Sequence, residues 1–353
     1  RNEIKKKRER AFMHSNNRRL MFYLASFLVL FTITMMAFPE SVGGMTMLRV
    51  ASWNLLAQDY VKEYKYPWTR DSPECLEWNY RKSLIVDRLL DKDMKPDIVC
   101  IQEAQVDLFS DLLSSLSPMF GGVIQNVSST HNVGTAVLIR NSCPVKIKRM
   151  DSRSRALIVT LEDKKNPSVN NLYLCSVHLD ADKSRDPKRR QYHQTQRQNQ
   201  LKSLLKRINL HCKLDKMEIK EAPVLVAGDF NMLRENPLHL SLTEGNLTPS
   251  AQVPLHDAYM EAEKHKRRSL PVYHYRSSRE EEIDQQQKSN HQLKLMKTYK
   301  GGAILDYIWT SERIKVIDTL LYHPSSSLAG IEQWPSTEMP SDHLPIGIDM
   351  EWN

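Results

Sequence analysis

The sequence predicts an α/β protein in which two β-sheets pack together with helices on the outside. Three observations carry this. From about Leu48 onward, short apolar runs rich in β-branched and aromatic residues alternate with amphipathic stretches. Several runs are apolar on both parities, as strands buried on both faces are. No stretch within residues 48–353 reads as a linker that would divide them into two domains.

The strands, in chain order, are LRVASW (48–53), IVCI (98–101), TAVLIR (135–140), LIVTL (157–161), LYLCSV (172–177), VLVA (224–227), ILDYIW (304–309) and IGIDM (346–350). Helices fit between them. Trp78, Ile85 and Leu89 share one face of a helix running to about Asp91. Leu201, Leu204, Leu205 and Ile208 give the i, i+3, i+4, i+7 spacing of another, whose amino-terminal half, residues 189–200, is polar and glutamine-rich. Pro237 opens a short helix, the favoured place for proline. Residues 261–300 are charge-rich with little periodic apolar content and read as a long loop with one helical piece.

Ahead of this body lie a basic segment, residues 1–19, and Leu20–Phe38, 19 residues without a charge. A helix of roughly 20 apolar residues spans a bilayer. Taken literally, residues 20–38 form a transmembrane or signal-anchor helix and the protein is a single-pass membrane protein. A native start at Met45 or Met47 would instead give a cytoplasmic one. The sequons at Asn126 and Asn246 matter only for a lumenal body.

Net charge says little about the substrate. Residues 1–19 hold eight basic and two acidic side chains, so they carry +6 of the total +8 and leave the body nearly neutral. The five cysteines are scattered with no C-x-x-C pair, which excludes a zinc ribbon and a disulfide framework and suits a reducing compartment. Cys100 and Cys175 sit inside apolar runs and read as small core residues.

Chemistry is concentrated where strands end. Asn54 closes RVASWN, Glu103 closes DIVCIQE, and His178 closes LYLCSVH. Asp229 and Asn231 follow VLVA, Asp306 lies in ILDYIW, and Asp342 and His343 precede the last strand. Singly, such residues start turns or satisfy themselves in the core. Asp306 is harder to dismiss, since a buried carboxylate needs a partner or a cation. As a set they point to one pocket. Glu103, Asp229 and Asp342 brought together would repel one another, and a hard cation with oxygen ligands relieves this, so Mg²⁺ is expected, with Mn²⁺ as the alternative. Asp306 beside His343 would fix its tautomer and favour its charged form.

The pieces SWNLLAQ, DIVCIQEAQ, CSVHLD, VAGDFNM, LDYIW and SDHLP occur in the order found in the endonuclease/exonuclease/phosphatase superfamily, which the chain resembles over residues 48–347. ASWNLLAQ, CLEWNYRKSLIVDRLL, and Arg197 with Gln200 in RQNQLKSLL are most similar to the branch holding the carbon catabolite repressor deadenylases, nocturnin, Angel and the 2′-phosphodiesterase. The resemblance implies a four-layer α/β sandwich of two mixed sheets and a catalytic domain over residues 48–353. It implies Glu103 as main metal ligand, assisted by Asn54, with Asp342 and Asp229 beside it. It further implies Asp229 as base, His178, Asn231, Asn54 and Arg197 as phosphate contacts, and His343 with Asp306 stabilising the transition state.

The activity expected on this ground is Mg²⁺-dependent hydrolysis at an RNA 3′ end. Tyr273, Tyr275 and Trp53 are candidates for stacking bases, and Lys188, Arg189 and Arg190 for touching phosphates. Alternatives keep the site but change the ester (a DNA lesion, a tyrosyl-DNA adduct, a nucleotide or a phospholipid headgroup), or leave an inactive RNA- or partner-binding scaffold. A monomer is expected, without leucine-rich-repeat docking. The stretch DADKSRDPKRR after His178 departs from the branch, being longer and more charged.

Overall fold

The computed structural model describes residues 46–353 apart from 128–130, 166, 168–170, 183, 185, 265–271, 276–297, 300–302, 325–332 and 353. The strands are β1 (Thr46–Asn54), β2 (Ile98–Gln105), β3 (Phe120–Ile124), β4 (Val133–Arg140), β5 (Val145–Arg153), β6 (Ala156–Asp163), β7 (Leu172–His178), β8 (Val224–Asp229), β9 (His256–Asp257), β10 (Val272–Tyr275), β11 (Asp306–Thr310), β12 (Ile314–Pro324) and β13 (Ile346–Trp352). The α-helices are α1 (Trp78–Leu90), α2 (Val106–Leu116), α3 (Pro187–Leu214), α4 (Pro237–Thr243) and α5 (Ala258–Lys264). They build a seven-stranded sheet, β10-β12-β13-β1-β2-β4-β3, and a six-stranded sheet, β5-β6-β7-β8-β11-β9. Both are mixed: β1–β2 and β7–β8 are parallel, and most other pairs antiparallel.

Alternation along the strands explains why two sheets stack. On β7, Leu172 and Leu174 join a core shared with Val50, Val99, Ile101 and Ile346 of the other sheet. Tyr173, Cys175 and Val177, on the opposite face, pack with Leu201, Leu204, Leu205 and Ile208 of α3. Each such Leu or Val contributes roughly 1.5–3 kcal/mol by leaving water. All five cysteines are buried and free. Local signals set the helix starts. Pro187 and Pro237 open α3 and α4, and the Asp186 and Asn236 side chains accept the Lys188 and Leu238 N–H at 3.0 Å.

All eight expected strands are present, although the 304–309 strand begins only at Asp306. Sequence reading overlooked α2, α5, β3, β5, β9, β10 and β12. Within the expected 261–300 loop, α5 runs on to Lys264, and Val272–Tyr275 pairs with β12. Residues 276–297 lie outside the described residues. So do residues 1–44, and with them the expected membrane segment 20–38. Among the described residues no helix is long and apolar enough to cross a membrane.

Candidate active site

Register across the six-stranded sheet sets the floor of the site. His178 is paired with Asp229 across the parallel β7–β8 ladder, and Asp229 with Asp306 across β8–β11. Three sequence-distant side chains therefore stand in a row at one sheet end. Gly228 permits this approach. Its φ is +152°, and a Cβ there would lie 1.9 Å from the Val177 carbonyl oxygen. From the other sheet, Asn54 ends β1, and Glu103 sits in the β2–β4 register irregularity with φ 54°. Asn231 (φ 47°) and Leu56 (φ 60°) share this left-handed backbone, uncommon for residues bearing a Cβ.

The groups converge. Asn54 Nδ2 donates to Glu103 Oε1 at 3.2 Å and to Asp229 Oδ2 at 3.0 Å. His178 Nε2 lies 3.6 Å from Asp229 Oδ2 and 3.9 Å from Glu103 Oε1. His343 Nδ1 is 2.8 Å from Asp306 Oδ2, and its Nε2 is 3.7 Å from Asp229 Oδ2. The Asn231 N–H donates to Asp229 Oδ1, and its side chain donates to the Leu179 carbonyl. Glu103, His178, Asp229, Asn231, Asp342 and His343 all line one cavity of about 910 Å³.

Charge in this pocket is finely opposed. Burial alone would lower the His343 imidazole, but Asp306 and Asp229 outweigh it and push it up to about 10, which favours the charged ring. Burial raises Asp229; His343 opposes the rise and Asp306 adds to it. Burial also raises Glu103, with Asp342 reinforcing and the Ala57 N–H opposing.

Two expected roles change. Arg197 does not line the cavity. It is buried, donating from Nη1 to the Asp180 carbonyl and from Nη2 to Gln194, so it braces the wall after β7 instead of touching a phosphate. Trp53 is fully buried and donates to the His343 carbonyl, which makes it core and not a stacking platform. Asn54 is present, but the Leu56 N–H occupies its Oδ1 at 3.0 Å, so its amide nitrogen faces the carboxylates. The side chains of Tyr273 and Tyr275 lie outside the described residues.

Sequence reading missed two lining residues, Tyr66 and Tyr299, and one buried brace behind them, Arg81. Tyr66 donates to Asp342 Oδ2 at 3.3 Å, and burial with Asp342 keeps its phenol protonated. The Tyr299 ring lies 4.8 Å from that of His343, and burial pushes its hydroxyl up to about 12. Fully buried Arg81 ties the Leu55 and Leu56 carbonyls to that of Pro340, joining the loops that carry Asn54 and Asp342. Only Arg81 had a signal, its place in CLEWNYRKSLIVDRLL.

The model of the endonuclease/exonuclease/phosphatase family matches residues 51–343, a span that contains every one of these groups. The chain belongs to the endonuclease/exonuclease/phosphatase family. It is therefore a hydrolytic enzyme of this fold. Nocturnin of Rattus norvegicus is 25% identical over 328 residues, covering 87% of this chain and 66% of that protein. Carbon catabolite repressor protein 4 homolog 3 of Arabidopsis thaliana is 24% identical over 352 residues, covering 84% and 73%. The human nocturnin catalytic domain with bound sulfate superimposes with a TM-score of 0.54 at 22% identity, covering 89% of this chain and 98% of that one. ANGEL2, a 2′,3′-cyclic phosphatase solved with adenosine-2′,3′-vanadate, gives 0.62 at 18% identity, covering 87% and 96%. The chain thus spans about two thirds of the length of rat nocturnin.

Enzymes of this family typically depend on a divalent metal, and the residues here fit one. Glu103 and Asp342 both line the cavity, and Asp342 adds to the rise that burial imposes on Glu103. An all-oxygen donor set suits a hard cation. Asp229, Asp306 and His343 also bring ligand atoms within 4.8 Å of one another. In that group His343 Nδ1 is already committed to Asp306 at 2.8 Å.

Proposed function

We propose that this chain is a Mg²⁺-dependent phosphodiesterase that removes nucleotides from RNA 3′ ends, deadenylase-like in activity. The observation that carries this reading is the convergence of His178, Asp229 and His343 on one cavity with Glu103, at separations of 3.6–3.9 Å. A cavity of about 910 Å³ accepts one or two nucleotides. The relatives among nocturnins and carbon catabolite repressor proteins support the substrate class.

In this reading Asp229 accepts the proton of the attacking water and is oriented for it by Asn54 and the Asn231 N–H. Asn231 and His178 hold the scissile phosphate. His343, fixed by Asp306, donates to the oxygen on which charge develops. Glu103 and Asp342 would hold Mg²⁺, or Mn²⁺ in its place, with Asn54 bracing Glu103. When bound, the metal neutralises charge on the non-bridging and leaving oxygens.

The test is AMP release from a 3′-polyadenylated RNA with Mg²⁺ and with chelator, beside arms carrying a 2′,3′-cyclic phosphate end, an abasic DNA duplex and a phosphorylated dinucleotide. AMP from the RNA, lost with chelator and in Glu103→Ala and Asp229→Ala, is expected. No AMP from the RNA ends the exoribonuclease reading. Undiminished activity in both variants puts the working site elsewhere.

A further inference from the structure

The cavity wall that follows β7 carries a second imidazole that the reaction above does not use. His193, on α3, lines the cavity with its side chain one quarter exposed. Its Nδ1 lies 2.5 Å from Asp180 Oδ2, and the Tyr192 ring meets it edge-on at 5.4 Å. Among the described residues its Nε2 has no hydrogen-bond partner.

Asp180 is held on every side. Its N–H donates to Gln200 Oε1, and its carbonyl accepts from Arg197 Nη1, both at 3.0 Å. Its other carboxylate oxygen is 3.5 Å from Arg155. A buried arginine and a glutamine thus fix the backbone of Asp180, and the Asp180 carboxylate in turn holds one imidazole. Such support is what positions a group for recognition.

The tautomer decides what can be recognised. A carboxylate on Nδ1 places the neutral ring's proton there and leaves a lone pair on Nε2. A lone pair accepts from a hydroxyl and repels a phosphate oxygen. Asp182 lines the same wall and also disfavours an anion there. Arg155 and Arg189 line it too, but Arg155 already faces Asp180.

We propose that His193, oriented by Asp180, accepts a hydrogen bond from the ribose 2′-hydroxyl of the bound nucleotide and makes the enzyme select RNA over DNA. This rests on the phosphodiesterase reading for its substrate class and names what that site discriminates. His193 is the specificity-determining residue; Asp180 and Arg197 are positioning residues.

The experiment compares kcat/KM on a ribo-oligonucleotide and its 2′-deoxy counterpart for the parent chain, His193→Ala and His193→Gln. The parent should prefer RNA by about tenfold or more, the discrimination available to one hydrogen bond to a substrate hydroxyl. His193→Ala should bring the ratio close to one, and His193→Gln, which keeps an acceptor, should restore part of it. General damage would lower both substrates and leave the ratio alone. A parallel titration measures binding of AMP and 2′-deoxy-AMP to the same proteins, and its ratio should shift in the same way. A parent without preference, or an unchanged ratio in His193→Ala, overturns the proposal. Should the RNA not be cut at all, the function reading falls, and the binding ratio alone decides this one.

Discussion

Two of the histidines on the cavity, His343 and His193, bind an aspartate through Nδ1, and their surroundings differ. His343 binds Asp306 through Nδ1 at 2.8 Å, and His193 binds Asp180 through Nδ1 at 2.5 Å. The difference lies around the other nitrogen. Nε2 of His343 faces Asp229 at 3.7 Å, and both partners are nearly inaccessible to solvent. Nε2 of His193, a residue of the cavity wall, has no hydrogen-bond partner among the described residues. His343 thus stands between two buried carboxylates, which raise it, whereas His193 meets one carboxylate at the edge of the cavity. A third imidazole completes the series. His239 is buried against Tyr307 and Trp309 with neither nitrogen hydrogen-bonded, and burial, then Arg234, push it down to about 4.

The largest effect should come from the buried pair. His343→Ala removes the imidazole that donates to the oxygen on which charge develops, and kcat should fall about a thousandfold or more. Asp306→Asn keeps the shape but not the charge and should lose about a hundredfold. KM should move little in either, since the ring stabilises the transition state more than the ground state. A loss in KM with kcat retained would show that His343 only binds substrate.

Next comes the strand contact on which the row depends. In Gly228→Ala the new Cβ would press on the Val177 backbone oxygen, an obstacle that cannot rotate away. A cost of about 3 kcal/mol or more is expected, seen as a lower midpoint in denaturant. His178 and Asp229 would separate, and the segment carrying Asp180 would shift with them, because the Leu179 N–H bonds the Asp229 carbonyl. Wild-type stability would mean that the two strands part without loss.

The comparison also shows what a sequence makes legible. Asp306 and Asp229 could be found because a carboxylate inside an apolar run is costly without a purpose. His193 could not, because a histidine in a polar helix is ordinary until Asp180 is folded against it. The same holds for the fold. The eight strands read from sequence are continuous apolar runs at the sheet centres. Edge strand β5 alternates exposed Lys146 and Lys148 with inward residues and reads as a loop, and β3 has two glycines after its first residue, Phe120. A register shift between Val316 and Asp318 breaks the alternation of β12, and α2 follows β2 without an intervening turn.

His239 gives the comparison a pH axis. Its proton binds the unfolded chain at its ordinary value of 6.5, but the folded one only near 4. Unfolded protein therefore takes up the proton first as pH falls, and stability is lost between about 6.5 and 4. The full depression corresponds to about 3 kcal/mol. His239→Phe should flatten that part of the stability–pH curve measured in denaturant. An unchanged slope would assign the acid sensitivity to other groups.

The smallest effect tests the wall. Arg197→Ala removes the Nη1 bond to the Asp180 carbonyl without touching the cavity. Asp180 should then wander, and His193 with it, giving KM on RNA a rise of about tenfold with kcat changed much less. Arg197 would also leave a buried gap, so thermal stability falls whichever role is right. The ratio of ribo- to deoxyribo-substrate separates the two. It should drop if Arg197 acts through Asp180 on the sugar, and hold if the arginine only packs α3 against the sheet.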